Sequence, residues 1–464
     1  MSTNRRKFLK QFGSTILLSS AGLSSLAAKE DMDRRILFSE KRITANDKIR
    51  IATIGMGIMG FNDTYAALTV PGVELAGVCD LYTGRLQRAK EVFGQTLFVT
   101  SDYRQILDRK DIDAVIIATS DNWHSRIAIE AMRKGKAVYS EKPMVHYISE
   151  GLAEIQAQKE TKAVFQVGSQ RVSSVAYQKA RELYHSGAIG KINSIEASFN
   201  RQSALGAWQY TIPLDAGPQT VDWARFQEPE KVKHDYDNNR FFRWRNYREY
   251  GTGVAGDLFV HLLSGIHFIT GSKGPDKIYS IGNTVFWKDG RNVPDVMSAV
   301  LEYPDTKEHP AFQVTLRVNF ISGEGDRSTT KIVGSEGVID LSGEGDGFTL
   351  YKNKMPVAPG IGGWDSLFTY PEAMQKQLMA NYNKKYSATD QATPATDKIL
   401  YHAPDGYNAS NDHFANFMDS IRTGKPVVEN AVFGFRAAAP CLACNDSYFE
   451  NKVIHWDAEN MRIV

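Results

Sequence analysis

The chain has 464 residues, 42% apolar and 23% charged, which is enough for one large or two ordinary domains with a sizeable core. Its formal net charge of +2 hides four basic residues, Arg5, Arg6, Lys7 and Lys10, in a stretch 1–28 that holds no acid. A chain starting at Lys29 would be net negative, which argues against a nucleic-acid or anionic-membrane surface as partner.

The N-terminus reads first as a targeting segment. "NRRKFLK" precedes a short apolar run, "STILLSSAGLSSLAA", that ends in small residues. A basic region, an apolar region and a small-residue end predict an export signal over 1–28, and the Arg5–Arg6 pair makes it a twin-arginine signal. The expected location is therefore the periplasm. The run is too short and serine-rich to span a bilayer, so no membrane span is expected.

From residue 47 the pattern alternates. KIRIATIG, VELAGVCD, AVIIATS, KAVYS and AVFQVG are short apolar runs separated by amphipathic stretches such as TGRLQRAKEVFG and HSRIAIEAMRKG. Continuous apolar strands between amphipathic helices predict a parallel sheet covered on both faces, here a nucleotide-binding Rossmann domain over 47–170. The fold class is thus α/β, with a second α+β domain over 171–464. That part continues with one helix and then strands of period two: KINSIEASFN, KIYSIGNTVFW, DVMSAVLEY, AFQVTLRVNF and TTKIVGSEGVIDL. Their β-branched and aromatic content predicts a large, mostly antiparallel sheet with one covered face. Residues 200–255, rich in Trp, Tyr, Arg and Asp, and the weakly patterned insertion 355–405 read as long loops. Three cysteines, 79, 441 and 444, make no disulfide framework; Cys441 and Cys444 lie one helical turn apart and read as core packing, and no metal is expected.

Gly55, Met56, Gly57, Ile58, Met59 and Gly60 follow the first strand directly. In such a GxGxxG turn the first glycine permits the turn, the second lets the backbone approach a pyrophosphate, and the third allows close helix–strand packing. The helix that follows offers its N-terminal N–H groups to the phosphates. Asp80 ends the second strand twenty residues beyond Gly60, placed for the ribose hydroxyls of NAD and set against the 2′-phosphate of NADP, although Arg85 stands nearby. Two further stretches suit chemistry: Glu141-Lys142-Pro143 at a strand's carboxyl end, and "GVAGDLFVHLLSGIHFITG", which puts Asp257 and His261 on one helical face at i,i+4.

The glycine turn, Asp80, "ATSDNWHSRIAIEAMRKGKAVYSEKPM", "QVGSQR", "GSEGVIDL" and "HFANFMDSIRTGKP" together resemble the glucose–fructose oxidoreductase/inositol dehydrogenase/rhizopine-catabolism (Gfo/Idh/MocA) family, in particular its secreted twin-arginine members. The resemblance implies a dehydrogenase in which His261 takes a hydroxyl proton, Asp257 holds the imidazole and Lys142 stabilises the same oxygen. It implies cofactor contacts from Thr119, Asn122, His124, Glu141, Lys142 and Gln170 as well as the glycine turn, Asp80 and Arg85. Aromatic rings mixed with Arg suit a carbohydrate, and Arg171, Arg243 and Tyr250 are the substrate candidates, with Arg245 and Tyr247 beside them. Implied too is a homo-oligomer, as is common in the family. Export makes free NAD scarce, so the cofactor is expected to be tightly held. An NAD-dependent glycosidase is the alternative, ranked second because the Tyr-Pro-Thr-His-Gly-type stretch of the family's N-acetylgalactosaminidases is missing. A dead-enzyme sensor is the third.

Overall fold

The computed structural model describes residues 48–342 and 346–464, so the expected export signal lies outside the described residues. Six parallel strands, β1 (Ile49–Ile54), β2 (Val73–Cys79), β3 (Phe98–Thr100), β4 (Ala114–Ile117), β5 (Ala137–Glu141) and β6 (Phe165–Gly168), form a sheet in the order β3-β2-β1-β4-β5-β6. Every residue of β4, β5 and β6 is buried, as their unbroken apolar runs require when helices cover both faces. The order reverses between β1 and β4, and at such a switch point the carboxyl ends of the strands open a crevice.

The second sheet has ten strands in the order β14-β13-β12-β11-β7-β10-β9-β8-β15-β16. They are β7 (Ile192–Asn200), β8 (Lys277–Asn283), β9 (Val296–Tyr303), β10 (Phe312–Asn319), β11 (Arg327–Gly334), β12 (Gly337–Ser342), β13 (Gly347–Lys352), β14 (Asp397–His402), β15 (Ile454–Asp457) and β16 (Arg462–Ile463). β7 and β10 pair in parallel and the remaining pairs are antiparallel. Strict alternation in β10, with Phe312, Val314, Leu316 and Val318 buried and Gln313, Thr315 and Arg317 exposed, shows one face on the core and one free.

Three segments join the two sheets. Helix Val260–Thr270 is mostly apolar and nearly all of it is buried. Helix Ala409–Thr423 returns to the nucleotide domain: Phe414 stacks on Tyr139 of β5 at 4.2 Å, and His413 lies 2.8 Å from the Val167 carbonyl. Helix Ala431–Glu450 buries Cys441 and Cys444 in the core, where burial raises both thiols. Residues 200–255 form a roof stitched to the nucleotide sheet's rim. The Trp123 indole N–H donates to the Phe226 carbonyl at 2.9 Å, and Tyr82 bridges to Val221. In the insertion, helix Glu372–Lys385 buries no residue.

Candidate active site

One cleft of about 280 Å³ runs from the glycine turn to the helix at 260–270. Gly55, Gly57, Ile58, Met59, Asp80 and Arg85 line one end. Gly55 has φ +93°, and a Cβ on it would meet the Ala118 carbonyl oxygen at 2.5 Å; only glycine fits there. Gly60 lies against Gly55, where an added Cβ would come within 1.8 Å of the Gly55 oxygen. A Cβ on Gly57 would meet nothing within 4 Å, so that glycine faces open space. Met56 turns its side chain into the core and gives its N–H to the Asp80 carboxylate at 2.7 Å. The other Asp80 oxygen accepts from the Tyr82 N–H at 2.8 Å, and Arg85 lies 3.5 Å from the oxygen that Met56 holds.

These features fit a dinucleotide. Helix Ile58–Thr69 starts at Gly57 with no side-chain cap, so its first N–H groups are free to receive a pyrophosphate. Asp80 is fixed by two backbone donors at the place where ribose hydroxyls are read. Arg85 is turned to Asp80, so it does not stand as an isolated phosphate site.

At the other end of the cleft stand Glu141, Lys142, Asp257 and His261. The Lys142 ammonium donates to the Asp257 carbonyl at 3.0 Å and to its carboxylate at 2.8 Å, and both side chains are under 10% exposed. Arg245 approaches the same carboxylate oxygen at 3.4 Å. Burial alone would raise the Asp257 carboxyl, but the Lys142 and Arg245 cations overcome it and hold the group well below the usual carboxylate range.

The expectation that Asp257 would orient His261 from one α-turn away is corrected here. The chain winds as a π-helix over Ala255–Phe259, and the carboxylate is drawn to Lys142 and Arg245 instead. Among the described residues no hydrogen bond reaches the His261 ring. Burial, then the Lys142 and Arg171 cations, push the imidazole well below its ordinary pKa, against the smaller pull of Asp257. His261 is therefore neutral across the physiological range.

Glu141 belongs to a buried acidic group. Its Oε1 accepts from the Gln170 amide at 2.8 Å, and its carboxyl shares a hydrogen bond with Asp63 of the first helix. Burial pushes Glu141 up to about 7 despite the attraction of Lys142, and burial followed by Glu141 raises Asp63 well above the usual carboxylate range. The pair holds a proton at neutral pH. Gly168 opposite has no room for a side chain, since a Cβ would lie 2.4 Å from the Glu141 oxygen.

Thr119, His124 and Gln170 also line the cleft. His124 is buried between the Pro143 carbonyl at 2.8 Å and the Thr119 carbonyl at 3.2 Å, tying the Glu-Lys-Pro loop to the end of β4. Other candidates are placed elsewhere. Asn122 donates to Glu230 at 2.8 Å and does not line the cleft. Arg243 is held by the Tyr210 carbonyl at 2.9 Å and by Gln209. Tyr250 is fully buried against Phe226 at 4.6 Å, and Tyr247 joins the same aromatic cluster. Arg171 sits behind the lining, over the Phe199 ring at 5.2 Å. Sequence reasoning missed Asp63, Arg201, Trp208 and Tyr210. A buried acid in the second turn of the first helix was the one available signal, for Asp63.

Comparisons with known proteins agree with this arrangement. The model of the oxidoreductase family with an NAD-binding Rossmann fold, GFO/IDH/MocA, matches residues 49–169, and that of the GFO/IDH/MocA C-terminal domain matches 219–340. The inositol 2-dehydrogenase of Salmonella paratyphi B is 31% identical over 175 residues, 37% of this chain and 50% of that protein. A glycosyl hydrolase family 109 protein of Shewanella baltica is 33% identical over 164 residues, 32% of this chain and 35% of that one. The chain thus spans half or less of the length of these curated relatives. A levoglucosan dehydrogenase in complex with NADH superposes with a TM-score of 0.62 at 18% identity, covering 88% of this chain and 99% of its own, a likeness of fold.

Proposed function

This chain belongs to the GFO/IDH/MocA oxidoreductase family, and from that premise we propose that it is an exported NAD-dependent oxidoreductase acting on a secondary alcohol of a carbohydrate, glycoside or polyol. One observation carries the reading: the cleft that begins at the glycine turn and Asp80 ends at Lys142, Asp257 and His261. Relatives named for inositol and levoglucosan point to the same substrate class. The export part rests on the Arg5–Arg6 signal, and a homo-oligomer would use the free face of the large sheet, where Tyr279, Ile281 and Val300 are exposed.

NAD, when bound, supplies the hydride acceptor. His261, kept neutral, accepts the proton of the substrate hydroxyl. An ammonium has three donors, and two of Lys142's are taken by Asp257. The third remains for the substrate oxygen, where it stabilises the negative charge that develops as the proton leaves. Asp257 fixes that ammonium by holding it from two sides, so its part is to position Lys142.

The test is to incubate purified, NAD-loaded protein with a panel of polyols, sugars and glycosides and to follow reduced-nicotinamide absorbance together with the organic product. A keto-sugar formed with NADH supports the reading. The second reading, a glycosidase that oxidises its sugar only transiently, draws on the family 109 relative. Net hydrolysis without NADH accumulation would select it.

A further inference from the structure

The end of the cleft around His261 carries more positive charge than it can balance. Lys142 approaches from the loop after β5, Arg171 from the segment after β6, Arg201 from the end of β7 and Arg245 from the roof. Facing them are the Asp257 carboxylate, already shared by Lys142 and Arg245, and Asp121, which accepts from the Thr252 N–H at 2.9 Å and hydroxyl at 2.7 Å. Glu141 lies alongside but shares a proton with Asp63.

Elsewhere in the cleft each arginine has a carboxylate: Arg85 meets Asp80, and Arg225 meets Asp102 and Asp222. Among the described residues, Arg171 and Arg201 meet none. Arg171 is 7% exposed and has one neutral partner, the Ser328 hydroxyl at 3.1 Å. Arg201 has one as well, the Gly206 carbonyl at 2.9 Å. Both guanidinium groups lie over the same Phe199 ring at 5.2 Å, and that ring is 6.0 Å from His261. Two like charges gathered on one ring, one of them buried, are unfavourable unless an anion joins them.

We propose that the substrate is an acidic carbohydrate, whose oxyanion (a ring carboxylate, or a sulfate or phosphate ester) binds at Arg201, with Arg171 behind Phe199 adding its charge. Arg201 lines the cleft and presents a planar fork of donors that matches an oxyanion. The Trp208 and Tyr210 side chains beside it supply the apolar wall for the ring. This inference rests on the oxidoreductase reading and narrows its substrate.

Equilibrium binding and turnover are measured for matched probes: glucose, glucuronate, glucose 6-sulfate and glucose 6-phosphate, with galactose and galacturonate as a second set. At least one acidic probe is expected to bind about tenfold or more tightly than its neutral partner, as a charged hydrogen bond predicts, and to lose that preference in Arg201→Gln. The uronates against the esters tell a carboxylate site from a sulfate or phosphate site. Arg171→Gln is expected to weaken the same preference and raise the apparent pKa of His261; Arg201, being half-buried, keeps the test open if the Arg171 variant fails to fold. Neutral sugars that bind as well as every acidic partner, or no binding by any acidic probe at millimolar concentration, would overturn the proposal. Keto-sugar formation from neutral sugars alone would leave the oxidoreductase reading standing, whereas hydrolysis without NADH would remove that reading separately.

Discussion

Replacing Lys142 with methionine removes one charge at the point where the cleft's two ends meet. In the folded protein the ammonium sits 2.8 Å from an Asp257 carboxylate that is almost wholly buried. Breaking a buried pair from one side costs about 3–5 kcal/mol. Arg245 remains at 3.4 Å, so the lower end, about 3 kcal/mol, is expected. At a slope of about 3 kcal/mol per molar urea, this moves the unfolding midpoint down by about 1 M. The catalytic loss is larger, since the substrate oxygen loses its donor: about 10²–10³ in kcat, measured as keto-sugar formed per enzyme with cofactor bound. The pH profile carries a separate sign. His261 works as a base only when neutral, so activity falls as pH drops through its pKa. That pKa is held down by burial first and by Lys142 next. Without the lysine it rises, and the acid limb of the rate profile must move to higher pH. A variant that folds, loses less than about tenfold in kcat and keeps the acid limb in place would refute the assignment of Lys142.

Three further outcomes are expected. Gly57→Ala faces open space and has a φ of −77° that alanine tolerates, so it should melt like the parent without cofactor yet purify free of dinucleotide; Gly60→Ala, forced to within 1.8 Å of the Gly55 oxygen, should lower the melting temperature as well. Equal dinucleotide content in both variants and the parent would contradict the placement of the phosphates. Asp80→Ser removes the carboxylate fixed by two backbone N–H groups, and direct titration of cofactor-stripped protein should show NAD affinity down about tenfold and the NAD-over-NADP preference narrowed; an unchanged ratio counts against ribose reading there. Glu141 is raised by burial to about 7, so the folded protein keeps a proton that the unfolded chain gives up. The stability from that proton is complete below the ordinary carboxyl pKa and lost as pH rises through about 7. Calorimetry between about pH 5 and pH 8 should show that loss in the parent and a flatter dependence in Glu141→Gln; parallel curves would be the opposing result.

What the sequence could and could not announce follows from the range of each interaction. The nucleotide sheet was legible because β4, β5 and β6 are buried on both faces and so cannot carry a polar residue without a partner. The glycine turn was legible because backbone approach admits no substitute. The Asp257–His261 relation was not, because an α-turn and a π-turn use the same residues. What decided it was Lys142, 115 positions earlier in the chain. Arg243 and Tyr250 sit among the same Trp, Tyr and Arg residues as Trp244 and Arg245, yet the first pair packs the roof and the second lines the cleft. Composition shows that such a loop is rich in sugar-binding residue types; only its folding assigns each to one side. Arg201 follows β7 with nothing local to mark it, and its meaning came from Arg171 arriving on the same ring.

The stacking of Phe414 on Tyr139 also sets an order of events during synthesis. β5 leaves the ribosome early, but the residues that cover its outer face follow some 275 positions later. At about 5–20 residues per second, the nucleotide sheet waits on the order of 10–60 s with that face uncovered. For those seconds Tyr139 offers an apolar surface to whatever is near, a chaperone or another nascent chain. The half of the protein that would hold the cofactor is therefore made first and completed last. A ribosome stalled before residue 409 leaves a chain with every residue of the glycine turn and no finished core to support it.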